Sequence, residues 1–398
     1  MQKEQLLIHL LLYRIIDKVN KMKKLIQLFL ISLILLGKVF GQEYKKQFIK
    51  GNISDKTFAV REAAGQEGIW LSQKAIEFVL ENTDIVGTDR DMDGLAVAAV
   101  LSLPNDYVAA LSDTDKAGVM DKFIQLFDKF SRSNTVQIAV QSKVLSLKEN
   151  INTDPFTGVL NKFLQSPQVL SSDSSLLKSV INSLGFIGNN ISFSILYNDL
   201  NDKRYSAYYS EIEATIAKLI PVSMNEVLQI IQSKDAANTQ RIFNLVKQAD
   251  ITTNNLCEIA ENILIESPLA SLQFEALNIL NSHKWTRASN SVLAFFAACQ
   301  KKFQNGLVEE DSFVGLINSL VNLSPLDAVS PLIKYLGELN SQLEYNNSVS
   351  QKVVLAVINS LGAIGDKSAF DALLSVTYLN YPEPVLSAAR QALAGLRW

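Results

Sequence analysis

The stretch VINSLGAIGDKSAFDALL, residues 357–374, decides how the chain is read, because its tetrapeptide INSL also stands at residues 181–184 and 317–320. The likeness runs well past four letters. VINSLGFIGNNISFSILYNDL (180–200) and VINSLGAIGDKSAFDALLSVT (357–377) agree through a Gly-x-Ile-Gly step, while LINSLVNLSPLDAVSPLIKYL (316–336) keeps the apolar positions and replaces the second Gly by Ser324. On both sides of this step apolar residues recur three and four apart, the spacing of an amphipathic helix. Each copy therefore reads as a helix, a tight turn and a second helix. Gly362 and Gly365 suit a helix C-terminus, where a left-handed residue costs Gly little, and Asp366 is placed to cap the next helix. Ser324-Pro325 is expected to do the same in the middle copy, and Asp154-Pro155 and Ser267-Pro268 read as further cap-plus-Pro starts.

The spacing of the copies sets the architecture. Ile317 and Ile358 are 41 residues apart, and LNILN from Leu277 falls 40 residues before Ile317 in the same apolar phase. A period of about 40 residues is that of a two-helix repeat. Weaker copies fit at 59–80, 95–111, 136–147 and 214–231, and VLSAARQALAGL (385–396) begins another. A lone helical hairpin cannot bury its apolar face and must stack on its neighbours. The expectation is an all-α solenoid of roughly eight to nine stacked two-helix units over residues 55–398, preceded by a linker at 42–54, with no strand pattern interrupting it.

The segments VREAAGQEG (60–68) and AVINSLGAIGDKSAFDALL (356–374) resemble HEAT-type repeats, in the short HEAT-like form of the phycobilisome lyase family, within the wider armadillo-type group. Leu361, Gly362, Ile364, Gly365, Asp366 and Ala369 match that pattern. The similarity is strong over about a third of the chain and only periodic elsewhere. The resemblance implies a right-handed solenoid whose members mostly bind other proteins, and it carries no catalytic residues over.

Composition narrows the function. The chain has 398 residues, 48% of them hydrophobic and 19% charged, which is too apolar for disorder. Seven of its 37 basic and two of its 40 acidic residues lie in the first 41 positions, so the remainder is net −8. That balance argues against a nucleic-acid partner, which requires a basic surface. From Met22 the sequence MKKLIQLFLISLILLGKVFGQ has a positive start, a twelve-residue mostly apolar run from Leu25 to Leu36 and a small residue at Gly41, the pattern of a secretory signal peptide. The run is shorter than the roughly 20 residues a spanning helix needs. Met22 is the expected true start, the alternative being a long basic leader or an uncleaved anchor in residues 1–21. Either way the remainder is expected to be periplasmic or secreted, touching a membrane only through an uncleaved N-terminus.

Residues with chemistry are few. Cys257 and Cys299 sit in apolar helical contexts and read as buried thiols rather than as a disulfide framework. TDRDMDGLAVAAV (88–100) places Asp89, Asp91, Asp93 and Gly94 as in the opening of an EF-hand, yet position twelve is Val100, so an acidic helix start is the better reading. The Gly185/Gly188 and Gly362/Gly365 steps follow no strand and read as turns rather than phosphate cradles. His283 is the only histidine after the leader and reads as a surface or C-cap group; the pairs Glu211/Glu213 and Glu309/Glu310 point to different helix faces. No catalytic residue, cofactor or metal site is expected. RYSAYYSEIE (204–213) groups Arg204, Tyr205, Tyr208 and Tyr209, and tyrosines are good interface anchors; core packing of one or two of them reads equally well. These four are the expected contact patch for a protein partner. The function expected is a non-enzymatic exported binding scaffold, with a lyase-like or chaperone-like assembly factor, or a structural envelope subunit, as alternatives.

Overall fold

The computed structural model describes residues 43–86, 89–167, 169–171, 173–345 and 348–397, so the proposed leader and its cleavage point lie outside the described residues. Among these residues the chain is helical throughout, and its only β feature is an isolated bridge between Asp366 and Arg397. It divides into two compact units, one ending at Thr215 and one starting at Ile216.

The first unit runs through α1 (43–50), α2 (Ile53–Glu62), α3 (Gly65–Val86), α4 (Arg90–Ser102), α5 (Asn105–Ala109), α6 (Asp113–Lys129), α7 (Asn134–Ser146), α8 (Asp154–Leu164), α9 (Ser174–Ile187) and α10 (Asn190–Asp199). The division falls inside α11 (Tyr209–Leu219). The second unit continues with α12 (Met224–Gln232), α13 (Ala236–Val246), α14 (Thr253–Glu266), α15 (Ala270–Ser282), α16 (Ser289–Gln304), α17 (Glu310–Leu323), α18 (Val329–Glu344), α19 (Gln351–Ile364), α20 (Phe370–Val376) and α21 (Glu383–Ala394).

Each unit is built as two layers of helices. In the first, α3, α6, α8 and α10 pack in sequence as one layer and α4, α7 and α9 as the other, with α3 on α4, α6 on α7 and α8 on α9 across the layers. In the second, α12, α14 and α16, then α18 and α20, form one layer, and α15, α17, α19 and α21 the other. All three INSL helices, α9, α17 and α19, belong to the second of these layers in their own unit.

The period read from the sequence reappears as hydrogen bonds between successive pairs. Ser133 Oγ donates to Asp93 Oδ2 at 2.6 Å across 40 residues, Ser350 Oγ to Glu310 Oε2 at 2.6 Å across 40, and Tyr381 OH to Asn340 Oδ1 at 3.0 Å across 41. Asn322 donates to Asn281 at 3.0 Å across 41. In every INSL copy Ile, Ser and Leu are buried and Asn is exposed. The small serine lets neighbouring helices approach and still satisfies its hydroxyl: Ser183 donates to Gln141 Oε1 at 3.1 Å, and Ser360 to the Ile317 carbonyl at 3.4 Å. A Cβ on Gly362 would lie 2.8 Å from that of Ala392, so α19 and α21 meet where only glycine fits.

The turn after α19 forms as its sequence demands. Gly365 is left-handed at φ 72°, and Asp366 accepts from the Ser368 amide at 2.8 Å. The other expected starts differ. Ser324 does not cap α18; the Ala328 amide bonds the Ser324 carbonyl, α18 begins at Val329, and the Ser324 hydroxyl pairs with Ser289 at 2.7 Å. Its side chain is committed to the neighbouring pair, which leaves none for the cap. At α8 the cap position is Thr153, with Pro155 in the first turn, and Ser267 closes α14 rather than opening α15. Residues 43–50 and 53–62, mostly within or next to the expected linker, are helical, and Asn52 and Asp55 start the second of these helices with a reciprocal capping box.

Candidate binding surfaces

The tyrosine cluster is built on one short turn. A 3-10 helix, Lys203–Tyr208, starts at Asp202, whose carboxylate accepts from the Arg204 amide at 2.9 Å and from the Arg204 guanidinium at 2.8 and 2.5 Å. Tyr209 OH donates to the Asp202 carbonyl at 3.0 Å. Tyr205 is only 5% exposed, while Tyr208 and Tyr209 are half-buried. The four expected residues are thus brought together, but around Asp202, with Tyr205 inside the fold and Arg204 the exposed member. The sequence could not separate the inward tyrosine from the others, because a 3-10 turn replaces the helical period there. Behind the turn, Asp199 ends α10 with Oδ2 buried and unpartnered. Burial, reinforced by Asp202 and opposed by Arg204, pushes its carboxyl up to about 7.

The acidic helix start, the two cysteines and the histidine hold the local positions their sequence contexts suggest. Asp89 caps α4, accepting from the Met92 amide at 2.8 Å, and Asp93 accepts from Ser133. Cys257 and Cys299 are buried free thiols, and burial pushes Cys299 up to about 11. His283 is the exposed C-cap of α15. Among the described residues no group of three or more His, Cys, Asp or Glu is placed to hold a metal ion, and no single helix is long and apolar enough to cross a membrane.

Three concavities among the described residues are grooves between successive helices of one layer. One of about 670 Å3 opens between α6 and α8, walled by Phe127, Val159 and Phe163, with Asp128 and Lys162 at its edge. Two flank α16. The groove toward α14, about 430 Å3, is lined by Ile265, Phe295, Ala294, Ala298 and Lys302; the groove toward α18, about 490 Å3, by Leu293, Phe296, Tyr335, Ala297, Lys301 and Lys334. A shared local device supports two of these. Gln137 and Gln273 both occupy the fourth residue of their helices, α7 and α15, and donate to a carbonyl late in the preceding helix, Phe127 at 3.1 Å and Leu264 at 2.9 Å.

The α16 face went unread in the sequence, where SVLAFFAACQKKF drew notice for its cysteine. Its signal is a helix that buries Val292, Phe295, Phe296 and Cys299 while exposing Ala294, Ala297, Ala298, Lys301 and Lys302. No family model and no curated protein matches this sequence.

Proposed function

We propose that the chain is a non-enzymatic binding scaffold, an exported α-solenoid of the HEAT-like kind, right-handed and of roughly eight to nine two-helix units, that presents its helical surface to a protein partner. The observation that carries this reading is the recurrence of hydrogen bonds across 40 or 41 residues, which join neighbouring helical pairs at the start of the first unit and along the second. A chain built by such nearest-neighbour stacking offers extended surface and long grooves rather than one enclosed chamber. The polar groups support it too: Asp89, Asp202 and Asp366 cap turns, and Ser183 and Ser360 join helices. The apolar run after Met22 supports export to the periplasm or beyond the cell.

The test is chemical crosslinking of the exported protein in its own cells, followed by affinity capture and mass spectrometry, with the intact mass giving the N-terminus. The reading predicts one stoichiometric protein partner and a chain that starts near Gln42. A protein that captures nothing at stoichiometric level, or that turns over a small molecule while monomeric and partner-free, overturns it.

A further inference from the structure

The reading as a scaffold leaves open what is bound and where. The face of α16 narrows both, because it joins three features found together nowhere else among the grooves described above. The first is shape. Ala294, Ala297 and Ala298 make a low ridge of exposed small residues along α16, and a groove opens on each side of it. The second is an apolar floor: Phe295 and Ile265 on one side, Leu293, Phe296 and Tyr335 on the other, with Ile265 left 53% exposed. Phe296 and Tyr335 meet edge to face at 6.0 Å, which fixes the floor of the second groove rigidly.

The third feature is charge. Lys301, Lys302 and Lys334 line the two grooves, and the side-chain ammonium of none of them forms an ion pair or hydrogen bond. Lys74, Lys122, Lys129, Lys178, Lys234, Lys247 and Lys352 pair with acids, and the α6–α8 groove has a single unpaired lysine, Lys162, where the α16 face gathers three. The one acid lining these grooves, Glu338, already accepts from Gln300 at 2.7 Å. Lys301 and Lys302 stand in the last turn of α16, where a cation favours the helix dipole. That accounts for two of the three; Lys334 stands near the middle of α18 and has no such reason.

We propose that the α16 face, from the α14 groove to the α18 groove, docks an acidic amphipathic helix of a protein partner, its apolar side chains entering the two grooves across the alanine ridge and its carboxylates meeting Lys301, Lys302 and Lys334. This is a helix laid into a groove, read by apolar anchors at helical spacing. The ridge helix has 16 residues, about 24 Å, so an occupant of four to five turns covers it. The proposal rests on the scaffold reading and assigns its binding surface.

The probe is a fluorescently labelled 18-residue amphipathic peptide with leucines on one face and glutamates flanking them, and the readout is anisotropy on the full exported chain. A twin with lysine in place of every glutamate is the control. The acidic peptide is expected to bind saturably, at least about tenfold more tightly than the basic twin, and more weakly as salt rises. The triple variant K301E/K302E/K334E is expected to reverse the preference. Ala297→Arg, an exposed helical position, is expected to weaken the acidic peptide about tenfold while circular dichroism shows the fold unchanged. Absence of saturable binding, equal binding of both peptides, or indifference of both variants overturns the site. A wild-type chain that dimerises and becomes monomeric on Ala297→Arg also overturns it, since the occupant is then a second copy. If crosslinking captures a stoichiometric partner that the triple variant retains, the site fails and the scaffold reading stands; if the unsubstituted chain captures none, the scaffold reading itself fails.

Discussion

Helices α7 and α19 occupy the same layer of their respective units, between neighbours of the same kind, yet they fill it with opposite chemistry. Helix α19 buries Val353, Val354, Val357, Ile358 and Leu361, with Ser360 as its one buried polar side chain. Helix α7 buries Gln137, Gln141 and Lys143 beside Val136, Val140 and Val144. Lys143 and one end of each glutamine are bonded to the ends or sides of adjacent helices, while Gln137 Oε1 and Gln141 Nε2 are buried without a partner. Lys143 Nζ donates to the carbonyl of Leu103, just past the end of α4, and to Asn105 Oδ1 at 2.7 Å, and Gln141 Oε1 accepts from Ser179 and Ser183. A repeat position thus fixes where a helix packs, while the means of holding it, apolar burial or a bonded polar group, differs from unit to unit.

This contrast sets a ranking of effects. Leu361→Ala, in the apolar helix, is expected to cost about 2–5 kcal/mol in chemical denaturation, because it combines lost burial with a cavity against α17 and α21. A cost below about 1 kcal/mol breaks the claim that α19 is held by packing. In the polar helix, Lys143→Ala is expected to cost about 1–3 kcal/mol, since it strands the Leu103 carbonyl and Asn105. The two losses also differ in their response to pH. Burial lowers the Lys143 pKa, so the folded state gains stability as pH rises toward the ordinary lysine value of 10.5; that gain disappears in Lys143→Ala and persists in Leu361→Ala.

The smallest effect has the opposite sign. Asp199 is pushed up to about 7, above the ordinary carboxyl value, so its contribution to stability is present below about pH 4 and lost as pH rises through 7. Asp199→Asn removes that loss. The variant is expected to exceed the parent by roughly 1–2 kcal/mol above pH 7, a figure discounted for screening of a group that is only partly buried, with the difference fading toward pH 4. A variant less stable than its parent at pH 8 contradicts the assignment of Asp199 as an unpartnered carboxylate.

The periodic parts of this architecture were legible in the sequence, and the parts set by contacts between pairs were not. INSL revealed the register because three buried positions and one exposed one repeat with the helix period, and Gly365 and Asp366 announced their turn because few other residues fit it. Ser324 misled because its hydroxyl bonds Ser289, a partner 35 residues away that no local pattern reveals. Tyr205 looked equivalent to Tyr208 and Tyr209 because the preceding turn is 3-10, so side-chain direction no longer follows a spacing of 3.6. The lysines beside α16 escaped notice for a different reason: their meaning lies in lacking partners, and only the packed structure shows which lysines are paired. The division at Thr215 and Ile216 likewise falls within a helix and leaves no trace in composition.

Amide hydrogen exchange on Leu361→Ala tests most directly whether each helical pair leans on its neighbours alone. Faster exchange confined to α17 through α21, with α3 through α10 at parent rates, is the predicted result. Equal acceleration of every helix in the chain would contradict a fold held together pair by pair.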